Sequence, residues 1–396
     1  MFLSMSTQFW GNIEINVCKA HKPFPLSVTY FERALDILNF SLKCNEGCPL
    51  SLTFWMGAHY TEEYLYAIDI LDALCAQSMR WVKADLCIPA AEVPRLRHHI
   101  RGRIPLLQSL NFVQRELEDW ANFSMPINPG FARFADAFED SPSLTHAELY
   151  MSSIRGWKCD WSSMVVLRLG SLSTADGLIA ALSQSMRLEE LEVATNSVSE
   201  PIDIPQSMIT LSSLRTLKLP WNVFDVLRVL TAPGLERLSI KFSNRNEHAS
   251  IVTGFLRRSA CPLGHLVLEY ASPAVAVEVL SAIPGLPSLE IRYYNNVDEI
   301  IKVFNCNLPE GALLSGPRLR SLKVHLEGDL KQGEVVELSA MVASRARNVE
   351  VDVLQELTLW AEYSWMKLDF AILQSQCEGQ GVKLTVCGGL IAYIVS

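Results

Sequence analysis

The sequence has no apolar run long enough to cross a membrane, no excess of basic residues and no secretory signal at its start. The most apolar stretch, residues 382–395, is interrupted by Lys383 and by two glycines, and a spanning helix needs about 18–20 apolar residues. Acidic residues number 43 against 34 Lys and Arg, so the net charge is −9. These absences predict a cytoplasmic or nuclear protein that binds neither nucleic acid nor a membrane.

The motifs of common catalytic and cofactor sites are also missing. The sequence has no G-x-S-x-G nucleophile turn, no Walker phosphate loop, no G-x-G-x-x-G and no H-E-x-x-H. Ser, His and Asp are plentiful, but no spacing singles out a nucleophile. We therefore expect a protein that is not an enzyme and that uses no cofactor or metal. The alternative is a hydrolase or transferase with an unrecognised site, which a deep polar pocket with convergent titratable groups would favour.

The ten cysteines are scattered along the chain and do not form a regular array. This usage predicts small buried thiols in a reducing compartment and no disulfide framework. The only close pair is Cys44 and Cys48, with Cys18 and His21 upstream. A zinc site is the alternative interpretation of these four residues, but its ligands normally have closer and more regular spacing.

One segment, residues 95–103 with the sequence RLRHHIRGR, is densely basic. It could be a site for phosphate or nucleic acid. The interpretation that we favour is a solvated turn that leads into a strand at residues 107–113.

Leucine is the residue present in excess, with 55 in the chain of 396. Many leucines fall in a triplet of the form apolar-x-x-apolar-x-apolar that recurs at spacings of 20 to 33 residues. Leucine-rich repeats have a period of about 20–29 residues. The eight triplets are Leu144/Ala147/Leu149, Met164/Leu167/Leu169, Leu188/Leu191/Val193, Leu214/Leu217/Leu219, Leu235/Leu238/Ile240, Leu263/Leu266/Leu268, Leu286/Leu289/Ile291 and Leu319/Leu322/Val324.

Chance would produce several such triplets in a chain this apolar, so two further regularities carry the interpretation. A proline, which ends a helix and favours an extended chain, precedes several triplets by one or two residues. These prolines are Pro142, Pro233, Pro262, Pro284 and Pro317. The segments between triplets, at residues 175–185, 222–230, 274–282 and 333–343, are long enough for a short helix. The pattern predicts an α/β leucine-rich-repeat solenoid, with parallel strands on its concave face and short helices on its convex face.

Residues 1–140 are less regular than the rest of the chain. Strand-like segments occur at residues 50–55, 81–86 and 107–113, and a helix is predicted at residues 61–77. We interpret residues 21–140 as irregular N-terminal repeats that continue the same sheet. Residues 141–396 are then the leucine-rich-repeat array with its C-terminal cap.

Alternate residues of each predicted strand point away from the core and form a candidate protein-binding face. Its charged members are Glu148, Arg168, Glu192, Lys218, Arg237, Lys241, Glu269, Glu290, Arg292 and Lys323. The mixed sign does not suit a phosphate backbone, which needs a basic stripe, but suits a protein partner of complementary charge. The alternative is an ordinary solvated sheet face. Aromatic residues follow four of the strands, and their parity places them in the core: Trp221, Phe242, Tyr270 and Tyr293.

Several short motifs occur along the chain in an order that one known family shares. Residues 6–13, STQFWGNI, resemble the end of a mushroom-type F-box region. The later motifs are FER at 31–33, CPLSL at 48–52, SMRW at 78–81, RGRIPLLQSL at 101–110, FADA at 134–137 and SPSL at 141–144. Over essentially its whole length, the chain is therefore similar to fungal F-box/leucine-rich-repeat proteins.

That resemblance implies a substrate receptor that docks a cullin-RING ubiquitin ligase through its F-box and holds the target on its repeats. A complete F-box begins with L-P-x-E-I-L, whereas residues 1–20 contain only a remnant of its end. We therefore expect the ligase adaptor to bind only if the missing part is restored. The expected function is non-enzymatic target recognition for ubiquitylation; the alternative is a stand-alone interaction scaffold with no ligase link.

Overall fold

The structure is a computed structural model, which describes residues 2–5, 12–16, 28–56, 62–115, 136–150, 157–170, 176–194, 207–243, 248–294, 304, 318–326, 332–348, 351–361, 370–388 and 391–394. The chain forms two compact units, Met1–Asp203 (unit 1) and Ile204–Ser396 (unit 2). Each unit is α/β, with a mainly parallel sheet and helices. Each is thus compatible with a solenoid-like repeat.

Unit 1 contains one sheet whose strands lie side by side in chain order. The first pair is antiparallel and every later pair is parallel. The strands are β1 (Phe2–Met5), β2 (Asn12–Asn16), β3 (Leu50–Trp55), β4 (Trp81–Pro89), β5 (Ser109–Arg115), β6 (His146–Tyr150), β7 (Val166–Gly170) and β8 (Glu190–Ala194). The helices are α1 (Val28–Cys44), α2 (Glu62–Cys75), α3 (Val93–Ile100) and α4 (Asp176–Gln184).

Unit 2 repeats this arrangement. Its strands are β9 (Ile209–Thr210), β10 (Thr216–Pro220), β11 (Leu230–Thr231), β12 (Arg237–Lys241), β13 (His265–Glu269), β14 (Ser288–Tyr294), β15 (Ser321–Leu326), β16 (Glu356–Ala361), β17 (Lys383–Gly388) and β18 (Ile391–Ile394). Its helices are α5 (Asp225–Val229), α6 (Ala249–Ser259), α7 (Pro273–Ser281), α8 (Gln332–Arg347) and α9 (Ala371–Gly379). The main sheet runs from β10 to β17 in parallel and ends in an antiparallel hairpin with β18, whereas β9 and β11 pair separately.

The predicted triplets form the core of both units. All their residues are at most 4% exposed, and the triplets stack in register, as Leu217, Leu238 and Leu266 do across β10, β12 and β13. Side chains of a strand alternate between its two faces, so a buried apolar set at every second position leaves the other set on the opposite face. The predicted strands at all eight triplets are therefore confirmed.

The helices predicted between triplets are confirmed as α4, α5, α7 and α8. The chemistry of α7 shows why they begin where they do. Ser272 accepts a hydrogen bond from the backbone N–H of Val275, and Pro273 occupies the first turn, where it has no hydrogen bond to lose. Among the prolines predicted to precede strands, Pro317 lies outside the described residues.

The less regular N-terminal segment folds largely as predicted. Its predicted strands correspond to β3, β4 and β5, and its predicted helix to α2, whose Leu71 and Leu74 are fully buried. The indole of Trp81, at the start of β4, donates a hydrogen bond to the backbone oxygen of Leu74 and ties the strand to the helix. Within the described part of the chain, no helix is long and apolar enough to span a membrane.

Candidate protein-binding face

The open face of each sheet is the face opposite the buried triplets. In unit 1 its central row crosses seven strands in register, about 4.8 Å from one strand to the next. This row consists of polar side chains from β2 to β8: Glu14, Thr53, Asp85, Asn111, Glu148, Arg168 and Glu192. The predicted residues Glu148, Arg168 and Glu192 are thus direct neighbours on three consecutive strands.

Arg168 is surrounded by carboxylates on this face. Its guanidinium donates a hydrogen bond of 3.0 Å to Glu190, which raises the pKa of Arg168, and lies 3.8 Å from Glu148 and 3.9 Å from Glu192. The hydroxyl of Tyr150 donates a 2.8 Å hydrogen bond to Glu148. The single positive charge of Arg168 is therefore shared by three carboxylates, those of Glu148, Glu190 and Glu192, and this part of the face carries a net negative charge.

Asp85 adds a further carboxyl group to the same row. Its Oδ1 accepts hydrogen bonds from the Trp55 indole at 3.3 Å and from the Asn111 amide at 3.1 Å. Burial raises the pKa of Asp85, and the charges of Glu148 and Glu14 act in the same direction, against the hydrogen bond from Trp55. Among its described side chains, the open face of unit 1 thus has more acidic than basic groups: Glu14, Asp85, Glu148, Glu190 and Glu192 against Lys83 and Arg168.

In unit 2 three rows of side chains cross the open face. The central row is Lys218, Ser239, Val267, Glu290, Lys323, Thr358 and Thr385. The row on one side contains Arg237, His265, Ser288, Ser321, Glu356 and Lys383, and the row on the other contains Lys241, Glu269 and Arg292. All seven predicted face residues of unit 2 therefore lie on its open face.

Glu290 is the most enclosed charged group of this face, with its side chain only 10% exposed. His325 Nε2 donates to its Oε1 at 3.0 Å, and Arg292 Nε donates to the same oxygen at 2.5 Å. The hydrogen bond from His325 has the larger effect and that from Arg292 adds to it. Together they lower the pKa of Glu290 to about 2, although burial acts in the opposite direction. The Arg292 guanidinium also contacts Glu269 at 3.1 Å, so it is fixed between two carboxylates.

Ser288, His265 and Glu290 have the residue types of a hydrolytic triad but lack its geometry. Ser288 Oγ and His265 Nδ1 share a 2.9 Å hydrogen bond, whereas His265 Nε2 lies 3.8 Å from Glu290, beyond hydrogen-bonding distance. Burial lowers the pKa of His265, which weakens it as a base. The strand that carries Ser288 is paired on both edges, so its backbone N–H groups do not form an oxyanion hole there.

Aromatic side chains flank the charged rows of unit 2. Trp360 is 46% exposed and stacks on the His325 ring at 5.4 Å, and the Lys241 ammonium lies 5.5 Å from the centre of the Tyr270 ring. The prediction that the aromatics after the strands are core residues is confirmed for Phe242, which is 2% exposed. It is wrong for Trp221, which is 40% exposed because the chain turns into a short 3-10 helix there and strand parity ends. The Tyr293 side chain lies outside the described residues.

The two open faces differ in sign. That of unit 2 carries six cations against three carboxylates: Lys218, Arg237, Lys241, Arg292, Lys323 and Lys383 against Glu269, Glu290 and Glu356. The mixed sign expected from the sequence therefore separates into an acidic face in unit 1 and a basic face in unit 2. Sequence reasoning missed Glu14, Asp85, Glu356 and Lys383. Buried triplets at Trp81/Ala84/Leu86 and Leu354/Leu357/Leu359 were the signal that would have located Asp85 and Glu356.

The basic segment 95–103 is not the turn that we favoured, because residues 95–100 belong to α3. Three of its four arginines are paired with carboxylates of neighbouring segments. Arg95 contacts Asp72 at 2.9 Å, Arg97 forms a two-pronged ion pair with Asp136, and Arg101 reaches the same carboxylate at 3.1 Å. Arg97 lowers the pKa of Asp136. The segment therefore ties α3 to the turn that precedes β6, and its positive charge is largely neutralised.

The eight described cysteines fall into three groups, of which one, Cys159 and Cys261, is half-buried. Buried thiols, as predicted, are found at Cys75, Cys87, Cys377 and Cys387. Cys44 and Cys48 are exposed, because α1 ends at Cys44 and the turn that follows lies at the surface. Cys18 and His21 of the alternative zinc site lie outside the described residues. Among the residues that the structure does describe, no group of three or more His, Cys, Asp or Glu side chains could hold a metal.

Comparison with known proteins adds little to this geometry. No protein-family model matches the chain, and no curated protein matches it in sequence. Among solved structures, a Bacteroides fragilis protein determined by the Northeast Structural Genomics Consortium is similar at 12% identity and a TM-score of 0.35, over 78% of this chain and 74% of that one. A likeness this low carries no argument. The strand order alone defines the class: an α/β protein built from repeated strand-and-helix units on parallel sheets.

Proposed function

We propose that the chain is a non-enzymatic leucine-rich-repeat protein that binds another protein on the open faces of its sheets, as the target-recognition part of an F-box-type ubiquitin ligase receptor. The observation that carries the binding function is the register of the polar rows. Each row places one polar side chain per strand at regular intervals, above a core in which the triplet residues are at most 4% exposed. Such a face can be varied without disturbing the core.

The ion pairs of the face support recognition in a second way. Arg168 and Arg292 are each held by at least two carboxylates, so their side chains are ordered before a partner arrives. Ordering a long side chain on binding costs about 0.5–1.5 kcal/mol. Here the two side chains are already ordered when the protein folds, so binding does not incur this cost. The exposed ring of Trp360 offers the kind of aromatic contact that dominates many interfaces.

The link to a ubiquitin ligase, and with it a cytoplasmic or nuclear location, rests on the resemblance of the sequence motifs to fungal F-box proteins. The second candidate function is an interaction scaffold of the same fold without a ligase. The two differ in one consequence, because a ligase receptor brings its partner to degradation and a scaffold does not.

To test this proposal, the gene is tagged at its own chromosomal locus so that the protein carries a C-terminal affinity tag. Any upstream coding sequence is thereby retained. Partners are recovered by affinity purification and identified by mass spectrometry, with and without an inhibitor of cullin neddylation. The wild type is compared with Arg168→Ala/Lys323→Ala, on the open faces, and with Arg187→Ala/Arg257→Ala, exposed cations outside those faces.

The proposal predicts a partner that is lost from the open-face variant and retained by the control variant. It also predicts that the ligase adaptor co-purifies and that the partner's half-life lengthens when neddylation is blocked. A partner whose recovery depends on the open face but whose half-life does not change would establish the scaffold. Equal recovery by both variants would refute binding on the open face.

A further inference from the structure

We infer that the open face of unit 2 binds an acidic segment of polypeptide, in extended conformation and about nine residues long. This inference rests on the proposed protein-binding function and names the chemistry of the partner. It starts from the contrast between the molecule, whose net charge is −9, and this one face, on which cations outnumber carboxylates two to one. A basic face on an acidic protein attracts acidic partners and repels copies of the same chain.

Three cations of this face are available to a partner. Arg237 on β12 and Lys383 on β17 are exposed, and no carboxylate of the described residues lies within ion-pair distance of either. Lys241 is also exposed and rests against the Tyr270 ring. The carboxylates of Glu269 and Glu290, in contrast, are engaged by Arg292. Glu356, the remaining carboxylate, accepts a hydrogen bond from Ser321 Oγ. The net uncompensated charge of this face is therefore positive.

The arrangement suits a polypeptide better than a nucleic acid. A phosphate backbone carries a charge on every nucleotide and favours an unbroken basic stripe. Here Glu269, Glu290 and Glu356 alternate with the cations, and Glu290 is fixed in its ionised form by His325 and Arg292. Acidic side chains of a peptide can be spaced to meet the cations and to avoid these carboxylates, and an apolar side chain between them can contact Trp360.

The dimensions set the length of the segment. From β10 to β17 the face spans six strand spacings of about 4.8 Å, or roughly 29 Å. An extended chain rises about 3.3 Å per residue, so about nine residues cross the face from Lys218 to Lys383.

The test measures binding of a fluorescein-labelled peptide of about that length, made of glutamate and glycine with one central leucine, by fluorescence anisotropy on the full chain. The binding variant is Arg237→Glu/Lys383→Glu. The matched control is Arg257→Glu/Arg318→Glu, two exposed arginines of the same unit outside the open face, which changes the net charge by the same amount. Thermal unfolding checks that each variant is folded, and Arg237→Gln/Lys383→Gln replaces the reversal if it is not.

We expect the acidic peptide to bind the wild type, to lose about tenfold or more in affinity on the face reversal, and to change by less than about twofold on the control. The same peptide with lysine for glutamate should not bind. Equal losses on both variants, no binding of the acidic peptide, or tighter binding of a single-stranded oligonucleotide of similar length would each overturn the inference. If the cellular partner instead depends on Glu148 and Arg168 of unit 1 while the acidic peptide fails to bind, this inference is wrong and the proposed function stands.

Discussion

Glu290 and His325, on neighbouring strands of unit 2, are joined by a hydrogen bond of 3.0 Å between Nε2 of the imidazole and Oε1 of the carboxylate. The bond fixes a negative charge at the centre of a basic face, and the His325 ring is in turn stacked on Trp360. The imidazole of His325 therefore contacts both the Glu290 carboxylate and the Trp360 ring.

The first prediction concerns the stability supplied by Glu290. Its pKa is about 2 in the folded protein against an ordinary 4.5, so its stabilising effect is present above pH 4.5 and is lost as the pH falls towards 2. We expect Glu290→Gln to lower the free energy of unfolding at pH 7 by about 1–2 kcal/mol, allowing for solvent screening. Urea unfolding at pH 7 and pH 3 measures the difference, which should shrink at the lower pH. Glu337→Gln, exposed on α8, is the control, and a deficit independent of pH would contradict the assignment.

The second prediction tests the register of the triplets. Leu238 is 1% exposed and lies between Leu217 and Leu266 in the stacked core. Leu238→Ala should lower the free energy of unfolding by about 2–5 kcal/mol, because it removes buried apolar surface and leaves a cavity. Ser239→Ala, one residue further on the open face, should change it by less than about 0.5 kcal/mol. Near-equal effects in chemical denaturation would mean that the two faces of β12 are misassigned.

The third prediction concerns a buried arginine. Arg345 is 1% exposed, and its Nη2 donates hydrogen bonds to the backbone oxygens of Leu319 at 3.2 Å and Asp352 at 3.4 Å, which ties α8 to the segments before β15 and β16. Arg345→Met leaves these oxygens without their donor and should cost about 2–3 kcal/mol of unfolding free energy. Arg347→Met, exposed on the same helix, should have little effect in the same thermal or urea experiment. If Arg345→Met is as stable as the wild type, water replaces the arginine side chain at these oxygens and the predicted role of Arg345 is wrong.

The fourth prediction addresses the close approach of Tyr150 and Gly170 on neighbouring strands of unit 1. A Cβ on Gly170 would lie 2.2 Å from the Tyr150 ring, so Gly170→Ala must displace the ring and break its hydrogen bond to Glu148. The hydrogen bond to Glu148 raises the pKa of the Tyr150 phenol. Spectrophotometric titration should therefore show one tyrosine ionising at lower pH in Gly170→Ala than in the wild type. When both proteins also carry Tyr150→Phe, their titrations should be the same. Identical titrations of the wild type and Gly170→Ala, with Tyr150 present, would contradict the contact.

The strand order could be predicted from the sequence because leucine spacing and strand parity are local properties. Each triplet, such as Leu235/Leu238/Ile240, specifies its own strand, and parallel stacking follows from repetition. β16 was missed although Leu354, Leu357 and Leu359 have the same spacing and are at most 1% exposed. The interval from Leu319, where the preceding triplet begins, to Leu354 is longer than the usual period of a leucine-rich repeat, so the spacing did not point to this triplet.

The sequence predicted which single charged residues lie on the candidate face. It did not predict how the positive and negative charges are distributed between the two units. Parity placed Glu148 and Glu290 on the open face correctly. The contrast between an acidic unit 1 and a basic unit 2 emerges only when the rows are assigned to the two units, which divide between Asp203 and Ile204, and the leucine spacing does not mark that boundary. The bonds that hold Glu290 ionised depend equally on cross-strand register. A bulge between Ile291 and Tyr294 shifts that register by a residue that parity does not foresee.

The measurement that tests the account most directly is hydroxyl-radical footprinting of the protein with and without the partner recovered from cells. Exposed side chains on the open faces report on binding there, namely Tyr150 at 39% and Trp360 at 46% exposure. Apolar side chains on helices, which are more exposed than these two, report on the opposite surface, namely Phe40 at 63%, Leu65 at 65% and Ile372 at 52%. Binding on the open faces predicts that the partner protects Trp360 or Tyr150 from oxidation and leaves the three helix residues unchanged. Protection of Phe40 and Leu65 with full oxidation of Trp360 and Tyr150 would contradict it.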